Sequence, residues 1–361
     1  MKDIILMTPG PTMVPEDVKK EAGKQPLHHR TEEFYEIFSG LNKNLKKIFN
    51  TKQEVITLTS SGTGGLEAVI ANLFSPEDKV LVASVGYFGE RFFDIAKAYG
   101  LDPQIHDFGW GNSVDPEVIE NELKSKKYKA VLITQNETST GVTNNIKEIA
   151  QIANKFETPV IVDAVSSLGG IPLEMDEWGI DAVITCSQKC FMSPPGLSFV
   201  CLSERAWEMN KSSKLPKYYF NLKKAKEGLL KERQDTPYTP AVSNIMAVKK
   251  ATDMLLEIGM DNVYKRQAYY GKTVREKVKS IGLEILPKEK FASDLITAVK
   301  IPEGFKSTQI IKFIQENYNI LLTGGQGPLK GKIIRIGHMG YITHEMLSQT
   351  FEAIKAAFLQ I

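Results

Sequence analysis

The run Asp181-Ala182-Val183-Ile184-Thr185-Cys186-Ser187-Gln188-Lys189-Cys190, followed by Ser193-Pro194-Pro195-Gly196, decides how the rest of the chain is read. Its opening, residues 181–185, is apolar enough to form a strand buried inside a parallel sheet. Lys189 then falls just past the carboxyl end of that strand, where open α/β sheets place their ligands. A lysine ordinarily ends in solvent. Here the buried strand before it and the proline- and glycine-rich turn after it favour a pocket instead. Upstream, Pro159-Val160-Ile161-Val162 reads as a second strand, and it ends in Asp163.

Working outward, short β-rich runs alternate with helical patterns from about residue 55 to 202. Strands are expected at 55–59, 79–83, 130–134, 160–163, 181–185 and 198–202, with helices over 62–74, 88–99 and 145–156. Such alternation predicts a mostly parallel sheet with helices on both faces, hence an α/β fold. The lysine-rich stretch 211–235, containing Pro216, reads as an exposed connection. Pro240 then opens a long helical stretch that bends near Gly259 and runs to Ile281. Residues 283–361 mix strand-like pieces (295–301, 333–336) with helices at 307–317 and at the end, where Leu347, Phe351, Ile354 and Phe358 share a face. The expected division is an N-terminal segment 1–14, a large domain 15–258 and a smaller α+β domain 259–361.

A chain of 361 residues exceeds one ordinary core. Its formal net charge of +2 gives no reason to expect nucleic acid or an anionic membrane as partner. No signal peptide pattern opens the sequence, and no apolar run reaches the roughly 18–20 residues of a membrane span. Cys186, Cys190 and Cys201 lie in or beside expected strands, an odd set that suits reduced cytoplasmic thiols better than disulfides. Cys186 and Cys190 lack the second Cys/His pair that a metal site needs, so no metal is expected.

Five features carry chemistry. Lys189 and Asp163, from two strand ends, are the amine and carboxylate that pyridoxal phosphate chemistry requires: one forms the imine, the other keeps the pyridine nitrogen protonated. The turn Ser60-Ser61-Gly62-Thr63-Gly64-Gly65 opens a helix, where backbone amides and hydroxyls can hold a phosphate. It equally fits a serine N-cap followed by packing glycines. Phe88 follows a strand-end turn and could stack on a flat ring, or simply pack in the core. Arg335 is one charge inside the apolar run Ile333-Ile334-Arg335-Ile336 and needs an anion, either a substrate carboxylate or an internal Asp or Glu.

In sequence order these motifs resemble the fold-type I, class V aminotransferases, in the alanine–glyoxylate and serine–pyruvate branch. The resemblance covers essentially the whole chain. It runs through Thr8-Pro9-Gly10-Pro11-Thr12, Ser61-Gly62-Thr63, Gly86-Tyr87-Phe88-Gly89-Glu90-Arg91, Asn136-Glu137-Thr138-Ser139-Thr140-Gly141, Asp163-Ala164-Val165-Ser166-Ser167, Ser187-Gln188-Lys189 and Arg335-Ile336-Gly337. It implies a seven-stranded, mostly parallel large-domain sheet, and transamination from a small amino acid such as alanine or serine to glyoxylate or pyruvate. By this similarity Lys189 would carry pyridoxal 5'-phosphate as an internal aldimine and shuttle the proton. Asp163 would pair with the ring nitrogen, Phe88 would stack, and Thr138 would bond the 3-oxygen. Ser61, Gly62, Thr63 and Gln188 would hold the phosphate. Thr239 would reach the neighbouring subunit's phosphate in a homodimer, and Arg335 would bind the substrate α-carboxylate. Phe88 stands where some relatives have tryptophan and Thr63 where they have histidine.

Other readings compete with this one. A 2-aminoethylphosphonate–pyruvate aminotransferase shares the 86–91 segment and Lys189-Cys190. A cysteine desulfurase ordinarily has histidine where Gln188 stands. A nucleotide-binding dehydrogenase could be built on Gly62-Thr63-Gly64, and a scaffold could bind the cofactor without turnover. A dicarboxylate substrate would need a second cation, for which His28, His29, Arg30 and Arg91 are the candidates.

Overall fold

The computed structural model describes residues 4–360. Residues 1–3 of the expected N-terminal segment, and residue 361, lie outside the described residues. Seven strands form the main sheet: β1 (Val55–Leu58), β2 (Lys79–Ser84), β3 (Asp102–Asp107), β4 (Ala130–Thr134), β5 (Val160–Asp163), β6 (Ala182–Cys186) and β7 (Ser198–Leu202). Their spatial order is β1-β7-β6-β5-β4-β2-β3. Every pairing from β6 to β3 is parallel, while β7 is antiparallel to both of its neighbours. The link from β6 to β7 contains Lys189 and no helix. It is too compact for the crossover that a parallel return requires.

The central strands β4, β5, β6 and β7 are buried along their whole length, which explains their unbroken apolar runs. Helix α1 (Gly62–Leu73) packs on β6 and β7, and helix α2 (Tyr87–Ala98) on β2, β3 and β4. Several elements are absent from the sequence-based reading, among them helices Glu16–Ala22, Glu32–Phe49 and Glu204–Ser212, an edge strand and a further helix. Strand β3 is a polar, half-exposed edge strand carrying Pro103, a residue tolerated only at a sheet edge or bulge. A helix at Pro116–Ser125 starts at Asp115, whose side chain accepts from Glu117 N. The stretch 211–235 also differs from expectation, because Leu222–Leu229 is a helix that buries Leu222, Ala225 and Leu229. Its lysines lie on the outer face and hide the apolar one.

The long helical stretch is two helices, Val242–Ile258 and Met260–Ser280, meeting at Gly259 with φ 81°. The second begins in the main core through Val263. It continues into a second core through Tyr270, Val274 and Val278. That second core surrounds an antiparallel sheet of β8 (Ile296–Lys300), β10 (Ile333–Gly337) and β9 (Thr323–Gly324), in the order β8-β10-β9. Helices Ser307–Tyr318 and His344–Gln360 complete it. The N-terminal strand Ile5–Leu6 pairs in parallel with Ile320–Leu321, and Met7 is buried in the second core. From there the segment Thr8–Thr12 crosses to Lys189. Gly337 N donates to Met7 O at 2.8 Å, Thr12 N to Gln188 O at 3.2 Å, and Thr12 Oγ1 to Lys189 O at 3.0 Å.

Candidate active site

The carboxyl ends of β1, β2, β4, β5 and β6 open onto one cavity of about 270 Å³. Asp163 ends β5 at the centre of the sheet and is 3% exposed. Its carboxylate accepts from Val165 N at 2.9 Å and has no cation in direct contact among the described residues. Burial pushes its pKa up to about 6, against the opposing pull of the Val165 amide and of the Arg91 and Lys189 charges. Lys189 enters from the other wall, three positions past β6, and its Nζ donates to Pro9 O at 2.5 Å. Burial pulls this amine below the ordinary lysine range, and the charge of Arg335 acts in the same direction. Gly10 has φ 129°, and a Cβ there would land on the Lys189 side chain. Only glycine lets the N-terminal segment pass this close.

Ser61, Gly62 and Thr63 form the first turn of α1 at one end of the cavity. Ser61 occupies the N-cap position of this helix, but its side chain makes no capping bond, so a side-chain capping account does not hold. The packing account of the glycines does: Gly65 lies where a Cβ would meet Ile184 and Ser198. Phe88 begins α2 and lines the same cavity, edge-on to Tyr87. Thr138 lines it from the opposite side, its Oγ1 donating to Ser166 Oγ at 2.9 Å. Gln188 is also on the wall, and its Oε1 is buried without a hydrogen-bond partner.

Arg335 is 7% exposed, in the middle of β10. It is not on the cavity wall but is joined to it, since Nη1 donates to Thr138 O at 3.1 Å. Its Nε donates to Gly324 O at 2.9 Å, and Nη1 also to Gln326 Oε1 at 3.0 Å. Among the described residues no carboxylate pairs with it, so the internal salt bridge considered from sequence is not formed. Burial lowers its pKa to about 10, while Glu137 pulls the other way. Thr239 does not line the Lys189 cavity. It is exposed, in separate clefts with Tyr219 and Tyr238 and with His28 and His29. Arg30 pairs with Asp235, so of the four candidate second cations only Arg91 lines the cavity.

Two groups, the buried Glu137 and the half-buried Gln326, escaped the sequence reading as site residues. Glu137 accepts from Phe88 N at 3.1 Å, Gly89 N at 3.2 Å and Ser139 N at 3.0 Å, tying the start of α2 to the wall that carries Thr138. Burial raises its pKa to about 7. Gln326 holds Arg335 from a glycine-rich loop. A glutamate between Asn136 and Thr138 looks like a solvated loop residue, so no local signal marked it. The three cysteines are buried, and none lines the cavity. A desulfurase would need one there.

The cavity's donor set fits pyridoxal phosphate. Hydroxyls, helix amides and Arg91 stand at one end, a buried carboxylate with no ion-pair partner among the described residues in the middle, and a desolvated amine opposite. Comparison with known proteins agrees. The family described as Aminotransferase class-V matches residues 4–347. A Synechococcus protein named soluble hydrogenase, small subunit, is 37% identical over 99% of this chain and 93% of its own. The serine–glyoxylate aminotransferase of Methylorubrum extorquens is 35% identical over 93% of this chain and 86% of its own. The solved ureidoglycine–glyoxylate aminotransferase of Bacillus subtilis superposes with a TM-score of 0.96 at 29% identity, covering 100% of this chain and 94% of that one.

Proposed function

We infer the reaction from one premise: the chain belongs to the class V aminotransferase family and is a pyridoxal phosphate-dependent aminotransferase of fold type I. It moves an amino group from a small amino acid, alanine or serine, to glyoxylate or pyruvate. Glyoxylate is the acceptor named in both the serine and the ureidoglycine relatives. The observation that carries the reading is the meeting of Lys189 and Asp163 in one buried cavity that also contains the Ser61-Gly62-Thr63 turn.

Ser61, Gly62, Thr63 and Gln188 would hold the cofactor's phosphate, Phe88 would lie against its ring, and Thr138 would bond its 3-oxygen. When bound, the cofactor supplies a carbonyl that takes up the amino group and a ring that accommodates the electron pair left at the α-carbon. Asp163 would pair with the ring nitrogen, and its buried carboxylate, which makes no ion pair among the described residues, would favour the protonated ring. Lys189, whose pKa burial lowers, would take the α-proton and return it to the neighbouring carbon. Arg335 would orient the α-carboxylate with its planar fork, steered by Thr138 O and Gln326. Thr239, exposed and outside this cavity, would complete the phosphate site of a second copy in a homodimer.

A cytoplasmic location fits the three buried free thiols, and among the described residues no helix is long and apolar enough to cross a membrane. The test is Lys189→Ala. The visible imine absorbance should disappear and transamination should fall by at least about 100- to 10,000-fold. Wild-type turnover in that variant, measured with alanine and serine against glyoxylate and pyruvate, would sink the assignment.

A further inference from the structure

Arg91 is a cation in this cavity that makes no ion pair among the described residues; its charge acts on the Asp163 carboxylate, which bonds Val165 N instead. It lies on α2 one turn beyond Phe88, and its Nη1 donates to Thr63 Oγ1 at 3.2 Å. Its guanidinium carbon is 4.7 Å from the centre of the Phe88 ring and 5.3 Å from that of Tyr87. None of the described ion pairs includes it. The nearby acids are engaged elsewhere. Glu67 accepts from the Tyr99 hydroxyl, Glu90 from Trp110 Nε1, and Glu137 from the amides of Phe88, Gly89 and Ser139. A half-buried guanidinium with only a hydroxyl and two ring faces for company is poised for an anion that the chain does not supply.

Position and charge together identify that anion. A phosphate monoester carries about −1.5 to −2 at neutral pH, whereas the end of a helix offers the equivalent of about +0.5. The α1 turn and its hydroxyls would therefore leave about one negative charge unmatched in a partly desolvated site. We propose that Arg91 supplies the balancing positive charge, binding the phosphate of the cofactor directly alongside Ser61, Gly62 and Thr63. This inference rests on the cofactor reading above. The competing use, gripping the distal carboxylate of a dicarboxylic donor, is disfavoured by the contact with Thr63. The substrate end is instead marked by Arg335, which is tied to Thr138 on the opposite wall.

The test compares two probes on the cofactor-free protein: pyridoxal phosphate, and pyridoxal, which lacks the phosphate. Binding is followed by the visible imine absorbance and by thermal stabilisation, not by turnover. Arg91→Gln should weaken pyridoxal phosphate binding about 10- to 100-fold, the scale of one charged hydrogen-bonding contact, and leave pyridoxal unchanged. Arg91→Lys should recover part of the loss, since it keeps the charge without the fork. Equal weakening for both probes would mean that Arg91 only supports the fold, and would overturn the proposal. So would unchanged pyridoxal phosphate affinity, including the case where only the KM for a dicarboxylic donor rises. Failure of the wild-type protein to take up pyridoxal phosphate would instead overturn the cofactor reading itself, and this inference with it.

Discussion

Replacing Asp163 by asparagine should make the cofactor-free protein more stable while disabling the enzyme. The carboxylate is buried at the end of β5, receives one amide hydrogen bond and has no cation in contact. Its pKa rises from the ordinary 3.8 to about 6 in the fold. A carboxyl whose folded value lies above its unfolded value contributes its stability in the protonated form. That contribution is complete below about 3.8 and is lost as the pH rises through 6. At about 1.4 kcal/mol per pH unit between the two values, the ionised group costs on the order of 3 kcal/mol at pH 8. Asparagine has almost the same shape, and its Oδ1 can keep the bond from Val165 N, but it carries no charge.

Urea unfolding of the cofactor-free wild type and of Asp163→Asn, at pH 4, 6 and 8, reads the difference directly. The variant should be more stable by on the order of 3 kcal/mol at pH 8, by less at pH 6, and by almost nothing near pH 4. Glu137, whose pKa burial and the Asp163 charge raise to about 7, is present in both proteins; losing the Asp163 charge lowers it and adds to the variant's advantage at pH 8. With pyridoxal phosphate added, the order reverses for function, and transamination should fall by at least about 100-fold. A variant no more stable than wild type at pH 8, or equally favoured at pH 4 and pH 8, would refute the account of Asp163 as a charge held uncompensated for the cofactor.

Two further outcomes are expected. Arg335→Gln removes the guanidinium fork behind Thr138 and should raise the KM for the amino donor about 10- to 100-fold, with a smaller change in kcat, in steady-state assays. Arg335→Lys should restore little of this, because a lysine cannot offer the bidentate geometry. Gly10→Ala would place a methyl group on the flexible Lys189 side chain at a φ of 129°. Strain of about 1–3 kcal/mol should appear in unfolding. Imine formation should slow more than the fold suffers, as Lys189 leaves its position at Pro9 O; an unchanged rate would show that the glycine does not set the lysine's place.

Much of this fold was legible because its strands are buried on both sides and its helices on one. Residues 130–134, 160–163 and 198–202 announce themselves as continuous apolar runs, and all become central strands. Strand β3 did not, since an edge strand carrying Pro103 and His106 has little apolar pattern to read. The helix at Leu222–Leu229 was hidden by the lysines on its solvent face. At the site, Lys189, Asp163 and the Ser61–Thr63 turn stood out because each follows a strand end. Glu137 could not stand out, because its importance lies in three amides it accepts from, two of them on another element.

The sequence by itself determined the alternating α/β layers and marked Lys189, Asp163 and the Ser61–Thr63 turn as residues at strand ends. Those follow from burial and from residue chemistry, which are local. Only the tertiary structure decided that the N-terminal segment crosses from the second core to Lys189. It likewise decided that Arg335 reaches the cavity through Thr138, and that Arg91 stands beside Thr63 without an ion-pair partner among the described residues. Periodicity reports which face of an element is buried, not which element will cover it. Contacts between residues far apart in the chain are chosen by packing.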